Sequence, residues 1–425
     1  MKMTKNPISK LIVLSSLVLC SYSGMVLAQQ STPPVMCPGY KQGPSNIPSE
    51  RVGKKIQKAF EAYNNDQIKE ALDILYEIDT SDAFDRAFTD KFIGQLLAVQ
   101  EGQAKKALQY LRNSVKDKQL TDADHASILR LVADLSLQDQ QFQNAIDGYK
   151  KWMEFTCKED PEVYLRIANA YYELKQWDNI IAPADKAIAL YDKPNKNPYV
   201  MKLQAYFERK MWPQTIAVAE ELVRVFPDDP QWWSQLGMFY AQVEDYKKAL
   251  AMLEVAYNNG FLKKESEIRV LSQLYASNDI PYKAASIMEK HMKEGLLKRD
   301  EKNLASLANA WHSAKEIKKA ANYYGQAAAL SNDPDYLRRQ GTLLLSAEQY
   351  KDAVATLEKA LEANKDAKEA GRLHMAIMEA NFYQGNFKEA YKHVKLAMND
   401  SATARSAKSW EPYIKEKARN RGIKI

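Results

Sequence analysis

A small or medium side chain returns along this chain at a nearly constant interval. Ala71, Ala107, Ala145, Ile180, Thr215, Ala249, Ala284, Ala320, Ala353 and Ala390 stand 33 to 38 residues apart. A period of this length is one helix-turn-helix unit, which cannot bury its own apolar faces and must stack on neighbours. Other positions keep step. A large aromatic stands three residues earlier in Phe142, Trp177, Trp212, Tyr246, Tyr350 and Phe387, and a small residue seven later in Ala187, Ala256, Ala327, Ala360 and Ala397. With 15 glycines and 16 prolines in 425 residues, the chain lacks β-rich turn chemistry, so an all-α fold is expected.

The unit is most legible from Trp233 to Ala256. Gly237 and Ala249 are small where two helices must cross closely, and Trp233, Tyr240 and Leu253 fill the volume on either side. This spacing resembles the tetratricopeptide repeat, and the resemblance runs from about Val52 to Asn399. It implies a right-handed superhelix, an α-solenoid, of about ten hairpins over residues 51–400. Residues 401–425 supply a capping helix around Trp410, Tyr413 and Ile414, followed by a basic tail. Turn signals fall where units should meet, at Asp160-Pro161, Lys193-Pro194, Pro227 to Pro230, Asn258-Asn259-Gly260 and Asn332-Asp333-Pro334. Two units depart from the pattern and are expected to pack less regularly. The second has Gly94-Gln95 where Leu-Gly is usual, and the tenth has Asn381 in place of an aromatic.

Residues 1–28 read as a signal peptide: Lys2, Lys5 and Lys10 precede an apolar run from Leu11 to Cys20, and Val26-Leu27-Ala28 form a cleavage site. Leu19 is too large for lipidation at Cys20, and an uncleaved anchor is the alternative. Export to the periplasm of a Gram-negative bacterium is the expected location. Beyond the leader no stretch is long enough to span a bilayer. Residues 29–50 carry Pro33, Pro34, Pro38, Pro44 and Pro48 and form an extended arm rather than a domain.

Cleavage leaves two cysteines, Cys37 in the arm and Cys157 in a turn between units. In an oxidising compartment an even count favours a bridge, which would strap the arm along the first hairpins. The alternative is a buried Cys157 and a free Cys37. Cleavage also removes three lysines and lowers the formal net charge from +6 to +3. The excess lies in the tail, where Arg405, Lys408, Lys415, Lys417, Arg419, Arg421 and Lys424 face only Glu411 and Glu416. Such a tail suits an acidic partner or anionic lipid, or is a frayed, solvated end; export argues against nucleic acid.

No catalytic constellation, cofactor loop or metal-ligand spacing is present in the sequence. The five histidines, His125, His291, His312, His374 and His393, are read as falling on different units, and Asn332 to Asp335 as a helix cap rather than a calcium loop. An enzyme is not expected, and neither cofactor nor metal is assigned. The repeat resemblance instead implies a concave surface lined by the first helix of each unit. In the early units its inward positions are Ile56, Phe60, Tyr63, Phe92, Leu96 and Val99, an apolar strip for an amphipathic helix or extended peptide, unless the arm covers it or it is core. In the later units they are Arg269, Gln273, Asn309, His312 and Arg338. These resemble part of a carboxylate clamp that grips a peptide's C-terminus, with Thr342 replacing its last basic residue.

The fold presents surface rather than reactive groups, so a scaffold or adaptor for envelope proteins is expected. The opening from Arg51 to Tyr63, preceded by Cys37-Pro38-Gly39-Tyr40, resembles periplasmic tetratricopeptide proteins associated with TonB, ExbB and ExbD. That resemblance implies an accessory part in TonB-dependent uptake, with the TonB/ExbB/ExbD complex as partner. Two other readings are an envelope assembly factor holding unfolded clients, in the manner of a chaperone, and glycan binding through Trp212, Trp232 and Trp233.

Overall fold

The computed structural model describes residues 33–43, 45–331, 333–364 and 367–425. The leader expected over 1–28 and the start of the arm lie outside them. The described residues are all-α, with 21 helices in two compact units divided between Glu159 and Asp160. Among them, no helix is long and apolar enough to cross a membrane.

In the first unit the helices are α1 (Glu50–Asn64), α2 (Ile68–Tyr76), α3 (Ala83–Ala98), α4 (Ala104–Ser114), α5 (Asp122–Gln138) and α6 (Phe142–Thr156). The second unit opens with α7 (Pro161–Glu173), α8 (Trp177–Leu190), α9 (Lys196–Glu208), α10 (Trp212–Val225), α11 (Pro230–Gln242) and α12 (Tyr246–Asn258). It continues through α13 (Glu265–Ser277), α14 (Pro281–Lys293), α15 (Glu301–Ser313), α16 (Ile317–Leu330) and α17 (Pro334–Ser346). It closes with α18 (Tyr350–Ala363), α19 (Ala367–Gln384), α20 (Phe387–Ala397) and α21 (Ala404–Asn420). Consecutive helices pair as ten hairpins, three in the first unit and seven in the second, and α21 packs on α20.

Local chemistry explains the boundaries. The side chains of Asp82, Thr121, Asp160, Asn195, Asp229, Asp300 and Asp333 accept from the first backbone N–H groups of the helices they precede. Pro161, Pro230, Pro281 and Pro334 stand in first turns, where their missing N–H costs nothing. Within every hairpin the turn contains one left-handed residue, always five before the periodic position. These are Asp66, Gly102, Gln140, Lys175, Lys210, Glu244, Asp279, Lys315, Glu348 and Gly385. The next N–H then reaches back to close the first helix, as from Asp245 to the Tyr240 carbonyl at 3.0 Å.

The ten periodic side chains are completely buried, Ile180 and Thr215 included. They sit where the two helices cross. Opposite them, a β-carbon on Gly237 would lie 2.6 Å from Leu253 Cγ, and one on Gly341 2.5 Å from Leu357 Cγ. A β-carbon on Gly94 would likewise lie 2.5 Å from Leu111 Cγ, so the second hairpin packs as closely as the others. Its departure is of register: Gly94 is 13 residues before Ala107, whereas Gly237 is 12 before Ala249. In the tenth hairpin Asn381 is buried and its amide donates to the Ile377 carbonyl at 3.1 Å, so the polar substitute is satisfied within its helix.

Of the signature tryptophans, Trp232 rather than Trp233 is the core residue. Trp233 is half-buried and donates its indole N–H to the Pro227 carbonyl at 2.8 Å. Trp212 packs edge-on against Phe207. Neither Trp232 nor Trp233 therefore offers a free face and donor to a sugar.

Candidate binding surfaces

The arm crosses the three hairpins of the first unit along one edge. Met36 N–H donates to the Thr156 carbonyl at 2.8 Å, and Cys37 is disulfide-bonded to Cys157 with their Cα atoms 5.0 Å apart. Cys157 ends α6 in the left-handed conformation, which turns the chain out toward the arm. Farther on, Tyr40 donates to Asp122 at 2.8 Å and the Gly43 N–H to the same carboxylate at 3.0 Å, at the start of α5. Ser49 then gives its N–H and hydroxyl to the buried Asp85 on α3, at 2.9 and 2.6 Å, and α1 begins. The strap thus ties the end of α6 to the starts of α5, α3 and α1. Beside it lies an open cavity of about 620 Å³, whose lining includes Pro33, Pro34, Trp152 and Lys158.

The strap leaves the outward side of α1 uncovered. Phe60 is 53% exposed and Tyr63 39%, while Ile56 is half-buried. Phe92 of α3 lies beside Phe60, with ring centroids 6.4 Å apart. In α3 the apolar strip read from the sequence is corrected. The extra residue before Ala107 rotates the outward series by about 100°, so Leu96 points into the core at 3% exposure and Gln95 is exposed. Val99 is 68% exposed as the residue that ends α3.

In the second unit Arg269 and Gln273 of α13 and His312 of α15 are exposed. Two further members of the clamp set are committed to neighbours. The Arg338 guanidinium bonds to Asp335 one turn earlier, and its Nε lies 4.0 Å from Glu369. Burial disfavours charge on Asp335, but bonds from Arg339 and Arg338 outweigh it and hold its carboxyl below the usual range. Asn309 accepts from the Tyr324 hydroxyl on the second helix of its own hairpin. The same register recurs in the third hairpin, where Tyr149 donates to Asp134 at 2.6 Å. Asn309 is therefore part of a hairpin-internal pair and Arg338 of a network that reaches the next hairpin, and a ligand carboxylate would have to displace Tyr324 and Asp335 to reach them.

Tyrosines also join one hairpin to the next. Tyr275 donates to Glu254 at 2.9 Å, and Tyr240 to Glu220 in the same register one unit earlier. Tyr336 donates to Glu301 at 3.0 Å; burial and then this bond push its hydroxyl up to about 12. Lys283 meets Glu254 at 2.8 Å and, with Tyr275, holds that carboxyl below its ordinary range.

Two histidines expected on different units share the tenth hairpin: His374 of α19 and His393 of α20 have their Nδ1 atoms 3.0 Å apart. Their separation of 19 residues matches the distance between facing positions of one hairpin, a signal present in the sequence. Among the described residues no three His, Cys, Asp or Glu side chains are grouped so as to hold a metal ion. Asp333, in the stretch that superficially resembles a calcium loop, caps α17 through the Asp335 N–H at 2.9 Å.

No family model matches the sequence, and no curated protein does. Solved structures share the helical-hairpin build. The C-terminal part of a TPR repeat-containing protein from Cytophaga hutchinsonii is 17% identical at a TM-score of 0.37, over 66% of this chain and 98% of that one. A tetratricopeptide repeat protein from Parabacteroides merdae is 12% identical at 0.34, over 69% and 98%. The TPR2AB domain of yeast Sti1, solved with a pHSP90 partner, is 17% identical at 0.34, over 60% and 98%. At these scores the likenesses add nothing about function to what the hairpins themselves establish.

Proposed function

We propose that this protein is a non-catalytic binding scaffold whose first unit seats an apolar segment of a partner polypeptide on α1. The observation that carries this reading is the exposure of Phe60 and Tyr63 beside Phe92, on a surface the strap leaves open. Aromatic rings held on a rigid helix are the residues that most often anchor a protein interface. The unit beneath them is braced by its own core and by the disulfide, so little ordering cost remains at binding.

The location that goes with this reading is the periplasm. It is supported by the charged and apolar layout of residues 1–28 and by a cysteine pair suited to an oxidising compartment. The finer reading is an accessory role beside a TonB, ExbB and ExbD complex, supported by the resemblance of the opening from Arg51 to Tyr63.

Photo-crosslinking residues placed at Phe60 and Tyr63 in the native host test the scaffold. They should capture one defined partner that a crosslinker at the exposed Tyr282 of the second unit does not. Identical adduct patterns at all three sites, or none at the first two, would refute the surface. Growth on ferric siderophores after deletion of the gene tests the finer reading separately; unchanged growth removes the TonB link and leaves the scaffold standing.

A further inference from the structure

The ten lysines and arginines from Lys388 onward face four carboxylates, so this one end carries a charge equal to the whole chain's formal excess of +6. The structure makes this end a surface rather than the frayed tail the sequence also allowed. Helix α21 is formed through Asn420 and docks by burying Ala407, Ile414 and Ala418, with Phe382 and Trp410 packed at 5.4 Å. With about 100° between successive residues, Arg405, Lys408, Lys415 and Arg419 fall within a sector of roughly 80° on one flank, centred about 120° from that buried stripe.

Of the two carboxylates on α21, Glu411 is taken by Lys415 at 3.0 Å and Lys395 at 3.6 Å, and the exposed Glu416 stands at the edge of the sector, about 20° from Arg405. Arg405, Lys408 and Arg419 remain exposed. On the other flank of α21, about 80° beyond Arg405 by the same geometry, Tyr413 is 44% exposed and Tyr383 52%, both against Phe382 at 5.1 and 5.6 Å. Lys417 lies over the Tyr413 ring at 5.3 Å.

We infer that this end of the protein docks on an anionic phospholipid surface. Its cations are spread over about 21 Å of helix instead of converging on one point, which matches a plane of diffuse charge better than a single acidic side chain. Tyrosines bordering lysines and arginines are the residues that settle at headgroup depth. Because the apolar stripe of α21 is spent on the array, attachment is electrostatic and superficial, and it weakens as salt rises.

The test uses the chain from Gln29 onward, so that the apolar leader takes no part. Its co-sedimentation is compared between phosphatidylcholine vesicles with and without phosphatidylglycerol. Binding should require phosphatidylglycerol and decline steeply with added salt. Reversal of three charges, Arg405→Glu, Lys408→Glu and Arg419→Glu, should weaken it by more than about a hundredfold. The alanine triple at the same positions should weaken it less, and helix content by circular dichroism checks that both are folded. Reversal at Lys69, Lys105 and Lys106 changes net charge equally on the first unit and should leave most of the binding. Equal binding to both vesicle types overturns the inference. So does equal loss in the two reversal triples, or binding to polyglutamate without binding to the anionic vesicles.

Discussion

Glu244 turns α11 into α12 with φ at 63°, a region where a β-carbon costs roughly 1–2 kcal/mol. Glycine removes that cost while giving back part of it as unfolded-chain entropy. Glu244→Gly and Lys315→Gly should each raise stability by about 1 kcal/mol, read as a higher urea midpoint with unchanged slope. Gly237 has the opposite constraint, because a β-carbon there meets Leu253 at 2.6 Å. Gly237→Ala should destabilise by about 1–3 kcal/mol, read the same way. The need for a small residue at that crossing was legible from the repeat pattern. The left-handed turn position carries Gly or a polar residue five before every periodic residue. The left-handed φ of that column excludes branched apolar side chains, whose β-substituents crowd the backbone there.

At the scale of elements, the tenth hairpin and the strap make separate predictions. Burial, then the neighbouring His374 and Lys392, push His393 down to about 4, against the weaker pull of Glu389. His374 is lowered as well, chiefly by burial. Both rings are therefore neutral in the fold and take up protons more readily once unfolded. Their contribution is intact above about 6.5 and is lost as pH falls through about 4. His393→Gln should flatten the decline in melting temperature across that window; a wild-type acid limb retained by the variant would count against this pair as its source. The strap closes a loop with a sequence separation of 120 residues. Its removal by Cys37→Ser with Cys157→Ser should cost about 2–5 kcal/mol, seen as a lower denaturant midpoint for the first unit. Pairing was left open by spacing, since both a bridge and a free thiol were compatible with the chain. Asp122 and Asp85 decide the arm's route, by gathering donors from Tyr40, Gly43 and Ser49.

For the whole molecule, stability within each unit is passed between neighbours. Helices of 13 residues, such as α11 and α12, are too short to persist alone in water. Their buried faces meet the flanking hairpins as much as each other, and Trp232, Leu236 and Ile268 belong to one continuous core. A peptide spanning residues 230–259 should therefore give a coil spectrum by circular dichroism, while the intact chain is strongly helical.

The sequence by itself determined the all-α class, the length of the hairpin, the capped helix starts and the accumulation of charge at one end. These follow from a local period and from hydrogen bonds made within a few residues. Tertiary structure alone decided which outward side chains remain available. One extra residue turned Leu96 inward, Tyr324 claimed Asn309, Glu369 came within 4.0 Å of Arg338, and α21 spent its apolar stripe on α20. Those outcomes depend on what a helix crossing brings opposite each side chain, often from more than a dozen residues away, and no local period carries that information.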